Sequence, residues 1–123
     1  MSNYKNLLIW EKSDVLALHV YKLTDNFPKQ ELFGITSQSR RAALSVPTNI
    51  VEGYNRKSKK ELHRFIDIAL GSLAETEYLI EFSKKLGYIK NDISNIESLI
   101  AELGKILWSF QKAISNKAEA LKN

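Results

Sequence analysis

The chain contains no cysteine, so it forms neither disulfides nor thiolate metal sites and is compatible with a reducing compartment. Its two histidines, His19 and His63, lie far apart, and no Glu-x-x-His is present, which excludes the di-iron type of helical bundle. The five glycines are isolated from one another, so no glycine-rich phosphate loop exists. No nucleophile elbow is present either. We therefore predict no catalytic residue, no metal site, no cofactor and no enzyme activity.

Long apolar runs are also missing. The short patch Leu7 to Trp10 is far below the length of a signal peptide core or a membrane span. We expect a cytoplasmic protein that has no membrane partner. Eighteen Lys plus Arg against fourteen Asp plus Glu give a net charge of +4, which permits attraction to phosphate but does not demand it.

Apolar residues recur at intervals of three and four along most of the 123 residues, and they make up 44% of the chain. This content is enough for one core, so we predict a single domain over residues 1–123. The fold class expected is all-α, an antiparallel up-and-down four-helix bundle. The helices are expected at about 13–27, 36–55, 58–87 and 92–116, starting at caps provided by Ser13 or Asp14, Thr36 or Ser37, Ser58, and Asn91 or Asp92.

The segment from Gln38 to Gly53 combines helical spacing with a proline in its middle. Pro47 lacks a backbone donor and its ring presses on the preceding turn, so we expect the second helix to continue through it with a bend. The helix also carries polar side chains at helical spacing. We predict that these four are mainly structural and form hydrogen bonds within or between protomers: Arg41, Ser45, Asn49 and Glu52.

The window from Asn55 to Arg64 is the most basic in the chain, since six of its ten residues are Arg, Lys or His. Ser58 and Glu61 fit the start of the third helix, where cations oppose the helix dipole and an external anion would be favoured. The alternative is a solvated loop. Few aromatics are interleaved, which favours phosphate contact without sequence preference. The predicted residues for RNA or DNA binding are Arg40, Arg56, Lys57, Lys59, Lys60 and Arg64.

Two helices carry more apolar surface than one bundle seam can cover, which indicates self-association. Gly71 indicates close helix approach at its level, and Trp10 is expected to fold back on the end of the bundle. The predicted contacts between protomers are Leu44, Val51, Ile68, Leu79 and Phe82. A second interpretation is a scaffold in which the apolar stripes hold a partner protein while the charge only keeps the assembly dissolved.

The runs T-S-Q-S-R-R-A-A-L-S-V-P-T-N-I-V-E-G and I-A-L-G-S-L-A-E-T-E, with L-L-I-W and F-P before them, resemble the 23S rRNA intervening-sequence proteins over nearly the whole chain. The resemblance implies an antiparallel four-helix bundle that assembles into a ring, usually a pentamer. That family includes the accessory variability protein of diversity-generating retroelements, which binds a reverse transcriptase and nucleic acid. The resemblance implies no single activity, so nucleic-acid binding and service as an accessory subunit to a partner enzyme both remain open.

Overall fold

The computed structural model describes residues 4–122, with side chains described as far as residue 116. Within these residues the chain forms four α-helices and no strand. They are α1, Leu8–Thr24; α2, Ile35–Tyr54; α3, Lys59–Lys85; and α4, Ser94–Lys122, with short 3-10 turns at Tyr4–Asn6 and Lys29–Glu31. The predicted all-α fold class is confirmed. None of these helices combines the length and apolar content that crossing a bilayer requires.

Each helix packs against two others, α1 and α3 both contacting α2 and α4. Along α3 and α4, His63 meets Ser115 near one end while Lys84 meets Glu97 near the other. These contacts run in opposite directions along the two helices, as an antiparallel pair requires. The up-and-down order of the whole bundle stays a prediction.

The main core lies between all four helices and follows the predicted spacing. Its fully buried members include Leu16, Val20, Val46, Ile50, Ile66, Leu103 and Leu107. Each buried aliphatic side chain of this size contributes about 1.5 to 3 kcal/mol to the free energy of unfolding, so the core dominates stability. A smaller cluster of Phe27, Ile35, Ala42 and Leu79 closes the end of the bundle near the start of α2.

The start of α1 differs from the prediction. The helix begins at Leu8, five residues before Ser13, and it has no side-chain cap. Ser13 is buried inside the helix, where its hydroxyl donates to the carbonyl of Trp10 at 2.9 Å. The reason is packing, since Ile9 enters the main core and holds the first turn without a cap. Trp10 therefore lies within α1 and meets Tyr4 edge to face at 5.2 Å between ring centroids.

The other boundaries fall closer to expectation. α2 starts after Gly34 rather than at a Thr36 or Ser37 cap, and the Glu31 carboxylate accepts the Ile35 N–H at 3.4 Å instead. Ser58 does cap α3, because its hydroxyl accepts the Glu61 N–H at 3.1 Å. α1 ends at Thr24 rather than 27, and α4 extends past the expected residue 116.

Pro47 lies inside α2, as the sequence predicted, and it is buried there. The helix continues through it for seven further residues to Tyr54, although the proline removes the donor that would otherwise bond the Ala43 carbonyl. The bend expected at this position stays a prediction.

Gly53 and Gly71 differ in what surrounds them, and this corrects the expectation for Gly71. A Cβ added at Gly71 would have nothing within 4 Å, so this residue marks no close helix approach. A Cβ at Gly53 would lie 2.8 Å from the Phe65 Cβ and 3.2 Å from a Leu62 methyl carbon. The close approach in this bundle is therefore between the last turn of α2 and the first turns of α3.

We expect Gly53→Ala and Gly71→Ala to change stability in opposite directions. Gly53→Ala overpacks the contact with Phe65 and should lower the free energy of unfolding by about 1 to 3 kcal/mol. Gly71→Ala replaces a helix-interior glycine facing open space and should raise it by about 0.5 to 1 kcal/mol. Urea denaturation followed by circular dichroism measures both, and equal effects of the two substitutions would contradict the assignment.

Candidate nucleic-acid interface

The turn between α2 and α3 places the basic window at one end of the bundle. The backbone N–H groups of Asn55 and Arg56 bond to carbonyls in the last turn of α2, and the Ser58 cap starts α3 two residues later. Because so few residues join the helices, the cations on both sides of the turn lie close together. They are Arg56, Lys57, Lys59, Lys60 and Arg64, all exposed, and we call them the basic cluster.

Both arginines of the basic cluster lie over the ring of Phe65. The guanidinium carbons of Arg56 and Arg64 are 4.9 and 4.5 Å from the ring centroid. Each arginine also pairs with a carboxylate on the same side of the turn between α2 and α3. Arg56 pairs with Glu52 at 2.9 Å, and Arg64 pairs with Glu61 at 3.0 Å. The hydrogen bond from Arg64 is the main cause that lowers the pKa of Glu61.

The three lysines of the basic cluster differ from its arginines. Lys57, Lys59 and Lys60 are exposed and form no ion pair among the described residues. Each of the two arginines contacts a carboxylate and none of the three lysines does, so most of the unpaired positive charge of the basic cluster lies on the lysines. An ammonium group on a flexible stem is a strongly hydrated point charge that contacts phosphate without fixed geometry.

Arg40, which was predicted to bind nucleic acid together with the basic cluster, lies apart from that cluster. It lies near the other end of α2, where its Nε donates to the Thr24 hydroxyl at 2.8 Å and its Nη2 pairs with Asp25 at 2.8 Å. The guanidinium also lies 5.0 Å from the centroid of the Tyr21 ring. Arg40 therefore links the start of α2 to the end of α1. Its partners lie fifteen or more residues away in the sequence, so local sequence patterns could not identify them.

The four residues predicted as a structural polar motif divide into three environments. The Asn49 amide donates to the Ser45 carbonyl at 2.7 Å and to its hydroxyl at 2.9 Å, and that hydroxyl meets Ser72 of α3 at 2.8 Å. Glu52 pairs with Arg56, as described above. Arg41 is exposed and lines a cleft between α2 and α3.

The residues predicted to contact another protomer are not all on the surface. Leu44, Ile68 and Phe82 are exposed and Val51 is half-buried. Leu79, however, is only 6% exposed and packs in the small core cluster. It is a core residue of its own protomer, because Phe27, which follows α1, and Ile35, the first residue of α2, cover a face of α3 that helical spacing alone leaves open.

A polar contact between α3 and α4 was not predicted. His63 meets the Ser115 hydroxyl at 2.9 Å, and the buried Gln111 amide donates to Asp67 and to the His63 carbonyl. Asp67 lies one turn after His63, a spacing visible in the sequence, but Gln111 and Ser115 are about fifty residues away. Among the described residues, no group of three or more His, Asp or Glu side chains is placed to hold a metal ion.

The chain has clear relatives by family and by structure. Residues 5–109 match the family of 23S rRNA-intervening sequence proteins. A solved structure similar to this chain is a protein of unknown function from the S23 ribosomal protein family of Bacteroides thetaiotaomicron. The two have a TM-score of 0.76 and 28% sequence identity, covering 85% of this chain and 99% of the other. No curated protein matches this chain.

We expect Arg40→Gln to destabilise the protein without changing any affinity for nucleic acid. The substitution removes a charged hydrogen bond to the buried Thr24 hydroxyl, which should cost about 1 to 2 kcal/mol of unfolding free energy. Chemical denaturation and an RNA titration of the folded variant measure the two effects. A loss of RNA affinity in a fully folded Arg40→Gln protein would return Arg40 to the binding surface.

Proposed function

This chain belongs to the family of 23S rRNA-intervening sequence proteins, and we propose that it is a non-enzymatic, self-associating protein that binds RNA or DNA through phosphate contacts. The observation that carries the proposal is the basic cluster, in which three exposed lysines lie beside a helix start without a carboxylate partner among the described residues. Side-chain charge and the free backbone donors of a helix start both attract an anion. The cytoplasm, where such nucleic acids occur, is the proposed location.

The aromatic residues around the basic cluster support binding without sequence preference. The ring of Phe65 is buried, and the guanidinium groups of Arg56 and Arg64 lie over it. No face of this ring is therefore free to stack on a nucleic-acid base. Tyr54 is exposed at the end of α2 and is a single ring. Binding of single strands by stacking uses several aromatic side chains along a groove. Phosphate contact is therefore the mode that this surface favours.

Self-association would multiply this charge. The exposed Leu44, Ile68 and Phe82 give α2 and α3 an apolar face that the monomer leaves uncovered. A ring of five, the assembly implied by the family resemblance, would carry about +20 if each copy contributes its net +4. Several weakly charged clusters acting together would then bind one strand far more tightly than a single copy.

A second candidate is an accessory protein that holds a partner enzyme such as a reverse transcriptase. The observation favouring it is Trp108, which is 58% exposed on α4 beside an apolar groove formed with α3. Exposed tryptophan is enriched at protein interfaces. In this interpretation the partner covers the α3 and α4 face, while the basic cluster remains in solvent.

We expect a variant with Lys57, Lys59 and Lys60 all replaced by glutamine to bind RNA more weakly and with less dependence on salt. Each lost phosphate contact should reduce the slope of log affinity against log salt by about 0.7 to 0.9. Fluorescence anisotropy with a single-stranded RNA at several salt concentrations measures both quantities.

The matched control replaces Lys22, Lys29 and Lys105, which are exposed elsewhere and change the net charge equally. The control should keep most of the affinity and slope. Equal losses in the two triple variants would show that net charge, rather than the basic cluster, governs binding. If RNA affinity changes neither with salt concentration nor with either set of substitutions, the result would favour the accessory-protein candidate.

We expect multi-angle light scattering of the wild type to show an assembly larger than the 14.1 kDa monomer. A double variant with Ile68→Lys and Phe82→Ser should have a lower average mass, closer to that of the monomer. The changes place a charge and a hydroxyl on the face proposed to be covered. Leu18→Ser, at an exposed position on α1, is the control and should leave the assembly size unchanged. A clean 14.1 kDa species in the wild type would contradict self-association.

A further inference from the structure

His63 lies within the basic window from Asn55 to Arg64 but outside the basic cluster. It follows Lys60 by three residues and Lys59 by four, so the three side chains are neighbours on the surface of α3. The His63 side chain is 35% exposed, which leaves the imidazole open to solvent. Histidine is the side-chain type whose charge ordinarily changes between about pH 5 and 8, whereas lysine and arginine remain charged there. The charge beside the two lysines can therefore change with pH.

A carboxylate lies beside the imidazole. Asp67 is one turn after His63 on α3, and its Oδ2 is 3.7 Å from the His63 Nδ1. The Gln111 side chain of α4 is buried and donates to the other carboxylate oxygen of Asp67 and to the His63 carbonyl, so it holds the carboxylate next to the imidazole. A neutral imidazole leaves the negative charge of Asp67 to oppose a phosphate near the lysines, whereas an imidazolium cancels that charge.

The hydrogen bonds around the imidazole suit its charged form. The Gln111 amide nitrogen is 3.4 Å from Nδ1, but both of its hydrogens are taken by Asp67 and by the His63 carbonyl. Nδ1 can therefore carry a proton toward the Asp67 carboxylate. Nε2 lies 2.9 Å from the Ser115 hydroxyl of α4, which can accept a hydrogen bond from it. Protonation thus places each N–H of the imidazolium opposite an oxygen atom.

The charges that face the imidazole come mainly from α3. On α4, Ser115 and Gln111 do not titrate, and the ammonium group of Lys112 lies 5.8 Å from the centroid of the Trp108 ring. The charged residues on the same side of α3 are Lys59, Lys60 and Asp67. The two lysines repel an imidazolium and the carboxylate attracts it, so a bound phosphate that neutralises the lysines favours protonation.

The other contacts of α3 lie on different sides of the helix from His63. α2 packs against α3 at Phe65, which is about 160° around the helix from His63. Ile68, on the face proposed to be covered by self-association, follows five residues later and is about 140° away. His63 is therefore outside the face that another copy of the chain would cover.

We propose that protonation of His63 strengthens nucleic-acid binding at the basic cluster, so that the protein binds a phosphate strand more tightly as the pH falls from about 8 to 6. The inference rests on the proposed function, because it concerns regulation of the same surface. The imidazolium adds a positive charge next to Lys59 and Lys60 and cancels the negative charge of Asp67. One added phosphate contact changes the affinity for a single strand by about three- to fivefold at moderate salt.

Anisotropy titrations of a rhodamine-labelled oligouridine over a series of pH values test the inference, because neither uracil nor this dye titrates in that range. The wild type should bind about three- to fivefold more tightly at the lower end of the range than at the upper end. His63→Gln should lose most of this gain and should match the wild type at the higher pH. The matched control is His19→Gln, which changes the other histidine, half-buried on α1, and should keep the gain. The α-amino group also titrates in this range but is common to all three proteins.

Asp67→Asn is a second test, which keeps the imidazole and decides the question if His63→Gln does not fold by circular dichroism. Removing the carboxylate should raise the affinity at the higher pH by about twofold or more. Oligouridine binding whose pH dependence is absent in the wild type, or persists unchanged in folded His63→Gln, would overturn the inference and leave the proposed function standing. So would an unchanged affinity of Asp67→Asn at the higher pH. A lack of binding at every pH would overturn the proposed function and the inference together.

Discussion

The close approach of α2 and α3 at Gly53 determines the surface on which the proposed function depends. A side chain at this position would collide with Phe65, so only glycine lets the last turn of α2 lie on the first turns of α3. That contact buries Phe65 beneath the turn and brings Arg56 and Arg64 over one ring. The cations before and after the turn thereby share one end of the bundle instead of projecting in different directions.

The arginines and the lysines of the basic cluster have different roles, as the size of their interaction energies shows. Ion pairs at a protein surface contribute about 0 to 1 kcal/mol, so the pairs of Arg56 and Arg64 with carboxylates add little stability. Their effect is to neutralise and orient the two guanidinium groups. The lysines keep their charge unbalanced, and release of counterions from a nucleic acid would supply the driving force for binding.

Helical spacing predicted the parts of the structure that depend on one helix at a time. It identified the four helices, and the local sequence at the start of the third helix identified the Ser58 cap, because each of these depends on residues close together in the chain. It failed where a distant segment decides the outcome. Gly53 and Gly71 give the same local signal, yet only Gly53 meets another helix. In the sequence Arg40 looks like an unpaired cation, because its partners Thr24, at the end of α1, and Asp25, directly after it, lie fifteen or more residues away. The contact of His63 with Gln111 was missed for the same reason.

Lysine footprinting in the presence of RNA tests the central claim most directly. The protein is treated with an amine-reactive reagent with and without a short single-stranded RNA, and modification at each lysine is measured by mass spectrometry. The account predicts that RNA protects Lys57, Lys59 and Lys60, that added salt removes this protection, and that Lys29 and Lys105 remain equally reactive throughout. Protection centred on Lys105, or none at any lysine under conditions where RNA is bound, would contradict it.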